Sequence, residues 1–209
     1  PTSQDIVKRF GDKSAVFNSS LSKLSAMSLA SQDNPTYQVK FDEWDKLLAK
    51  AYGHSVARTQ LFLRHTYLSI LVKILAYSAL FKQKPKGKEI NEIITGKAFV
   101  NLTNLAEEDF FCWILSQVLE KDAIELLQGL AQHLAVYDLT KVNGDLLKEL
   151  YEDLVDSETK HDLGEVYTPD WLVELTLHEA DFKLGQSLLD PACGSGTFLF
   201  IAIQLMREQ

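Results

Sequence analysis

The residue types best suited to chemistry lie between Asp190 and Leu199, where the chain reads Asp-Pro-Ala-Cys-Gly-Ser-Gly-Thr-Phe-Leu. A short apolar stretch ends at the acid, turns through a proline and two glycines, and leads into an apolar segment with helical spacing. Open α/β sheets bind their ligands at the carboxyl ends of strands, where such a turn would lie. The pattern therefore predicts a strand over 187–189, a ligand-binding glycine loop over 190–196, and a helix over 197–206.

The spacing in this glycine loop disfavours two common phosphate cradles. A P-loop needs Lys followed by Ser or Thr after its last glycine, but Thr197 and Phe198 stand there. A dinucleotide fingerprint needs Gly or Ala three residues beyond the second glycine, where this chain has Leu199. The remaining interpretation is a loop whose glycines let the protein backbone approach a ligand closely. Such a ligand would carry its own charged groups.

S-adenosylmethionine has the groups that such a loop can bind. Asp190 can accept hydrogen bonds from an ammonium group or a bound water, and the N–H groups that open the next helix can bind a carboxylate or ribose oxygen. The plain alternative is a strand-to-helix turn with no ligand. The full ten-residue run is far more restrictive than a lone Gly-x-Gly, which favours the ligand.

A second run, Gly164-Glu165-Val166-Tyr167-Thr168-Pro169, precedes the glycine loop. Together the two runs resemble the N6-adenine DNA methyltransferases of restriction–modification systems, above all the type I modification subunits and related fused enzymes. The resemblance covers about residues 145–209 and is carried by both motifs in the family's order.

This resemblance implies a reaction, a cofactor site and partners. The parent enzyme would transfer a methyl group from S-adenosylmethionine to adenine N6 in DNA, and in that family the Tyr-Thr-Pro segment closes over the methionine end of the cofactor. The implied partners are DNA and the specificity or restriction subunits. The implied cofactor-binding residues are Glu165, Tyr167, Thr168, Pro169, Asp190, Ala192, Gly194, Ser195, Gly196 and Thr197.

The chain departs from the family's pattern in the catalytic motif. That motif, Asn or Asp followed by Pro-Pro and an aromatic residue, lies downstream of the glycine loop in the family and is absent from these 209 residues. The run Asn34-Pro35-Thr36-Tyr37 has Thr in place of the second proline and precedes the cofactor loop, so we interpret it as a plain turn. We therefore expect an incomplete methyltransferase domain, inactive on its own, with no catalytic residue assigned.

The segments before the glycine loop predict a mainly α protein. Residues 41–156 carry apolar side chains at helical spacing and are expected to form a helical bundle domain with its own core. Residues 1–40 are Ser-rich and broken by a proline, which favours an irregular arm. Residues 157–209 would be the truncated start of a Rossmann-like α/β methyltransferase domain, in which Thr168 caps a helix that begins at Pro169.

Composition narrows the functional class. A net charge of −8 argues against a broadly basic, nonspecific nucleic-acid binder, although a local basic patch can act within an acidic chain. The two cysteines make no disulfide framework, which favours a cytoplasmic location. The five histidines have no metal-ligand spacing and no apolar stretch is long enough to span a bilayer, so neither a metal nor a membrane is expected.

Two other functions stay open from the sequence. A methyltransferase that acts on RNA or protein would share the cofactor motifs, because the residues that select the substrate lie outside them. A helical interaction module would use residues 41–156 to bind DNA or a partner subunit, and exposed apolar surface on the bundle would favour it.

Overall fold

The computed structural model describes residues 2–55, 58–85, 89–99, 102, 109–139, 146–154 and 167–208. All regular secondary structure in these ranges is helical, so the prediction of a mainly α protein is confirmed. The helices are α1 (Ser3–Phe10), α2 (Ala15–Ala30), α3 (Pro35–Tyr52), α4 (Thr59–Phe81), α5 (Glu89–Ile94), α6 (Glu120–Leu134), α7 (Leu146–Leu154), α8 (Asp170–Glu179) and α9 (Thr197–Glu208), with short 3-10 helices at Lys97–Phe99, Phe110–Leu115 and Gln117–Leu119.

Helix α4 lies at the centre of a bundle formed by α1 to α7. Its sequence is apolar on every side, as expected for a helix that is surrounded by others. Helices α2, α5, α6 and α7 pack directly against it. The aromatic residues Trp44 and Trp113 are 2% and 1% exposed, so they form part of this core.

The predicted irregular arm over residues 1–40 is wrong, because these residues form α1, α2 and the start of α3. Helix α2 is Ser-rich, yet Ser14 caps it by accepting a hydrogen bond from the Phe17 amide at 3.0 Å. Ser28 is buried and its hydroxyl lies 2.6 Å from the Tyr37 hydroxyl. A serine can cap the helix or form a hydrogen bond with a residue of another helix. A Ser-rich segment can therefore be buried in the core.

The interpretation of Asn34-Pro35-Thr36-Tyr37 as a plain turn is also corrected, because this run starts α3. Pro35 occupies the first turn of the helix, where a missing N–H costs nothing. Asn34 is the N-cap and its side chain accepts from the Thr36 amide at 2.9 Å. The run therefore builds the bundle and is no substitute for a catalytic motif.

Helices α8 and α9 form a second, smaller core. Val173 and Leu177 from α8 pack against Ile201 and Ala202 from α9. The predicted boundary between residues 156 and 157 lies outside the described ranges, so the division into 41–156 and 157–209 stays a prediction. Of the described helices, none combines the length and the apolar character that a bilayer crossing needs.

The predicted strand over 187–189 is not formed. A strand satisfies its backbone groups by pairing with a neighbour, and the described residues contain no other strand to pair with it. Leu188 packs partly against the small core instead, while Leu189 is 85% exposed. The Rossmann-like character of this region therefore stays a prediction.

Candidate cofactor loop

The glycine loop turns the chain into α9 through two left-handed glycines. Gly194 has φ +53° and Gly196 has φ +90°, values that a residue with a Cβ rarely adopts. The Gly196 amide donates to the Cys193 carbonyl at 2.7 Å, and the Phe200 amide donates back to the Gly196 carbonyl at 2.8 Å. The two glycines thus end the loop and begin the helix, which confirms a helix that starts at Thr197.

Polar groups lie at both ends of this loop. The Asp190 carboxylate accepts a hydrogen bond from the Ala192 amide at 3.2 Å, an arrangement that folds the chain back on itself. At the other end the Ser195 hydroxyl lies 3.1 Å from the hydroxyl of Thr197, which is 5% exposed. Helix α9 begins at Thr197, so its N-terminal end lies beside these hydroxyls, and a helix N-terminus favours negative charge.

Tyr167 is the residue of the Tyr-Thr-Pro segment that approaches the loop. A methyl group on Gly194 would lie 3.7 Å from Tyr167 Cε1, so the ring faces Gly194 across the space that a side chain there would occupy. The Tyr167 ring also meets Tyr151 of α7, with ring centroids 5.7 Å apart and planes at 67°. The structure therefore brings the two sequence motifs together through this one ring.

The predicted N-cap role of Thr168 is wrong. Helix α8 begins at Asp170 with Pro169 in the N-cap position, because Pro169 itself is extended at ψ 142°. The Thr168 carbonyl accepts a hydrogen bond from Lys148 Nζ at 3.1 Å. Glu165 lies outside the described residues, so its place in the site stays a prediction.

Sequence reasoning missed Lys148 and Tyr151. Lys148 Nζ lies 2.8 Å from Asp170 Oδ1 as well as near the Thr168 carbonyl, and its side chain is only 13% exposed. The two residues are three apart on α7 and so share one helix face. Nothing in the local sequence shows that this face meets the Tyr-Thr-Pro segment, because that contact is tertiary.

Metal chemistry has no geometric support in the described part of the chain. No group of three or more His, Cys, Asp or Glu side chains there is placed to hold an ion. Cys193 is exposed, and its Sγ lies 3.9 Å from the Gly194 carbonyl oxygen. What the site offers is a carboxylate, a helix N-terminus and an aromatic ring around a bend made by two glycines.

Comparison with known proteins finds a family match over the region of this site. Residues 142–209 match the N-6 DNA Methylase family. That range contains both the Tyr-Thr-Pro segment and the glycine loop.

Three relatives are type I methylase subunits. The chain is 24% identical over 182 residues to the "Type I restriction enzyme MjaVII methylase subunit" of Methanocaldococcus jannaschii, a match that covers 82% of the chain and 31% of that protein. It is 35% identical over 65 residues to the "Type I restriction enzyme EcoEI methylase subunit" of Escherichia coli, covering 31% of the chain and 13% of the relative. It is 33% identical over 87 residues to the "Type I restriction enzyme MjaVIII methylase subunit" of M. jannaschii, a match that covers 41% of the chain and 15% of that protein.

The matched region thus spans a third or less of each of these relatives. No solved structure matches the chain significantly. The resemblance to N6-adenine DNA methyltransferases of restriction–modification systems, predicted from the two motifs, is confirmed by these matches.

Proposed function

From the family match over residues 142–209, we propose that this chain is part of a DNA methyltransferase of a restriction–modification system. The enzyme transfers a methyl group from S-adenosylmethionine to adenine N6 in DNA, in the cytoplasm. Residues 167–197 contribute to the cofactor site, and the bundle contacts DNA or the specificity and restriction subunits. The observation that carries the proposal is the glycine loop that opens α9, with the Tyr167 ring facing Gly194.

The residues present fit this cofactor. Asp190 can accept from its ammonium group or from a bound water, while the amides that open α9 suit a carboxylate or ribose oxygen. Tyr167 faces Gly194 of the loop, which supports the proposal that it closes over the methionine end. When bound, S-adenosylmethionine supplies the methyl group from its sulfonium. The rest of the proposed set is Glu165, Thr168, Pro169, Ala192, Gly194, Ser195, Gly196 and Thr197.

These residues are proposed to bind the cofactor. None of them is proposed to act on the adenine base that receives the methyl group. The 209 residues hold no Asn- or Asp-Pro-Pro-aromatic motif, which in this enzyme class binds the N6 amino group and stacks on the flipped adenine. We therefore expect the 209-residue chain alone to methylate no DNA.

The test uses a longer protein that contains this sequence, incubated with DNA and with S-adenosylmethionine labelled in its methyl group. We expect label in DNA, recovered as N6-methyladenine after digestion. Asp190→Ala removes the carboxylate and Gly194→Val places a branched side chain at φ +53°, so each should abolish labelling. Asp122→Ala is the matched control, because Asp122 is an exposed acid on α6 of the bundle.

Three outcomes would change the assignment. Label in RNA or protein instead of DNA would identify a methyltransferase with another substrate. Full labelling by Asp190→Ala and Gly194→Val would overturn the cofactor site. DNA or subunit binding without any binding of S-adenosylmethionine would leave the bundle as an interaction module.

A further inference from the structure

We propose that helix α7 fixes Tyr167 over the glycine loop, with Lys148 and Tyr151 as positioning residues for cofactor binding. This inference rests on the proposed function and assigns a role to a helix of the bundle that the motifs do not contain. Helix α7 has three faces, and each contacts a different part of the molecule.

The first face attaches α7 to the core of the bundle. Leu150 and Leu154, four residues apart, are 0% and 1% exposed and belong to the main apolar cluster. Side chains four apart lie on one side of a helix, so this side is buried along its length. Helix α7 is therefore part of the bundle and not of the small core formed by α8 and α9.

The second face attaches α7 to α1, to the turn that follows α1, and to α4 through hydrogen bonds. Glu149 accepts from the Ser3 hydroxyl at 2.6 Å, and Asp153 accepts from the Asp12 amide at 2.7 Å. Arg64 of α4 donates to the Leu154 carbonyl at the C-terminal end of α7. These contacts fix both the position and the rotation of the helix.

The third face presents Lys148 and Tyr151 to the Tyr-Thr-Pro segment. Lys148 Nζ bonds to the Thr168 carbonyl at 3.1 Å and to Asp170 Oδ1 at 2.8 Å, and so holds the residues on both sides of Pro169. The ion pair is shielded on the lysine side, where the side chain is 13% exposed. Tyr151 meets the Tyr167 ring edge-on, a favoured aromatic geometry.

Tyr167 therefore contacts Tyr151 of the bundle and faces Gly194 of the loop. A ring that is already in place does not have to be ordered when the ligand arrives, and such preorganisation raises affinity. If Lys148 and Tyr151 were removed, binding would have to order this segment. We expect the cofactor Kd to rise about tenfold, the effect of immobilising one or two side chains.

The experiment measures binding and turnover in the longer protein that contains this sequence. Lys148→Met and Tyr151→Leu should each raise the calorimetric Kd and the KM for S-adenosylmethionine about tenfold, with kcat at saturating cofactor within about twofold. Lys148→Arg keeps a cation, so it should bind S-adenosylmethionine more tightly than Lys148→Met. Tyr151→Phe keeps a ring, so it should bind the cofactor more tightly than Tyr151→Leu. Lys23→Met is the control, since it removes an exposed bundle ion pair with Glu125.

Asp170→Asn removes the negative charge of the same ion pair without altering α7. The Asp170 side chain is 57% exposed. A smaller rise in the same KM is expected from Asp170→Asn, even if Lys148→Met unfolds the protein. Wild-type cofactor affinity in folded Asp170→Asn and Tyr151→Leu would overturn this inference alone. An unmodified protein that does not bind S-adenosylmethionine would overturn the proposed function together with it.

Discussion

The carboxylate of Asp153 fills the space into which a side chain on Gly11 would project. A methyl group on Gly11 would overlap Asp153 Oδ2 and lie 2.6 Å from the Val7 carbonyl oxygen. The φ of Gly11 is −77°, so space and not backbone strain excludes a side chain there. The end of α1 can therefore lie directly against α7 only because residue 11 has no Cβ.

Gly11→Ala should destabilise the protein by about 1–3 kcal/mol, the usual cost of inserting a methyl group into a packed contact. Asp153 can rotate away, but the Val7 carbonyl belongs to the backbone of α1 and cannot move without disturbing that helix. The free energy of unfolding from urea titration measures the effect.

Gly129→Ala is the control with the opposite sign. Gly129 lies inside α6 and a methyl group there would meet nothing within 4 Å. Replacing a helical glycine by alanine should stabilise the protein by about 0.5–1 kcal/mol. Equal stability of the Gly11→Ala and Gly129→Ala proteins would contradict the close packing of α1 on α7.

Gly196→Ala should weaken cofactor binding through the backbone. At φ +90° an alanine is strained, and relief of that strain would reshape the turn that opens α9. We expect the KM for S-adenosylmethionine to rise in the longer protein, together with a loss of stability of about 1 kcal/mol.

Gly53→Ala is the matched control for Gly196→Ala, at a position outside the candidate cofactor loop. Gly53 ends α3 at φ +79°, and a methyl group on either glycine would meet nothing within 4 Å. The stability loss should be similar, about 1 kcal/mol, with no change in the KM for the cofactor. If Gly53→Ala and Gly196→Ala raised that KM equally, strain would act through the stability of the whole protein and not through the loop.

The bundle could be predicted from the sequence where apolar spacing is strong. Helix α4, from Thr59 to Phe81, lies within residues 41–156, where the spacing predicts a helical bundle. Helix α2 was missed because its buried positions include Ser20 and Ser28, which weaken the apolar pattern. A helix that satisfies its polar groups by capping and by tertiary hydrogen bonds leaves no clear periodic signal.

The site was predictable only in its local part. The two glycines and the helix after them follow from the run that begins at Asp190, since turn and helix chemistry is encoded locally. The strand over 187–189 depends on a neighbouring strand, and the contact between Lys148 and Thr168 depends on how α7 packs. Neither of these can be read from adjacent residues, because each requires distant parts of the chain.

Lys73→Met should lower the free energy of unfolding by about 2 kcal/mol, because it leaves a buried carbonyl and a partly buried carboxylate without a donor. Lys73 is 5% exposed, and its Nζ lies 2.6 Å from the Ile94 carbonyl and 2.8 Å from Asp109 Oδ2. Methionine would fill the space but leave the carboxylate and the carbonyl without this donor. Urea unfolding measures the difference.

Lys23→Met provides the exposed comparison, because Lys23 and Glu125 are 39% and 65% exposed. Surface ion pairs contribute little, so its cost should stay below about 1 kcal/mol. Adding Asp109→Asn to Lys73→Met removes the stranded charge and should recover part of the loss. Equal destabilisation by Lys23→Met and Lys73→Met would contradict a structural role for the buried pair.

His133 should make the protein less stable in mild acid. Burial, and then the charge of Arg9, lowers the pKa of His133 below its usual 6.5. Arg9 Nη2 donates to His133 Nδ1 at 2.8 Å, a bond that requires the neutral imidazole. The unfolded chain takes up this proton near its ordinary pKa while the folded protein resists it, so unfolding binds a proton in between. Stability is therefore full above about pH 6.5 and falls as the pH drops toward the lower folded pKa.

Two variants isolate this effect from that of the carboxylates, which titrate at lower pH. His133→Gln removes the titrating group, so its stability should change less than that of the wild type between pH 7.5 and pH 5.5. Arg9→Met removes the second cause, so the His133 pKa measured by NMR titration should move up toward 6.5. Since Arg9 lies on α1 and His133 on α6, a rise in that pKa would show that the contact between these helices acts on the imidazole. An unchanged pKa in Arg9→Met would leave burial as the sole cause.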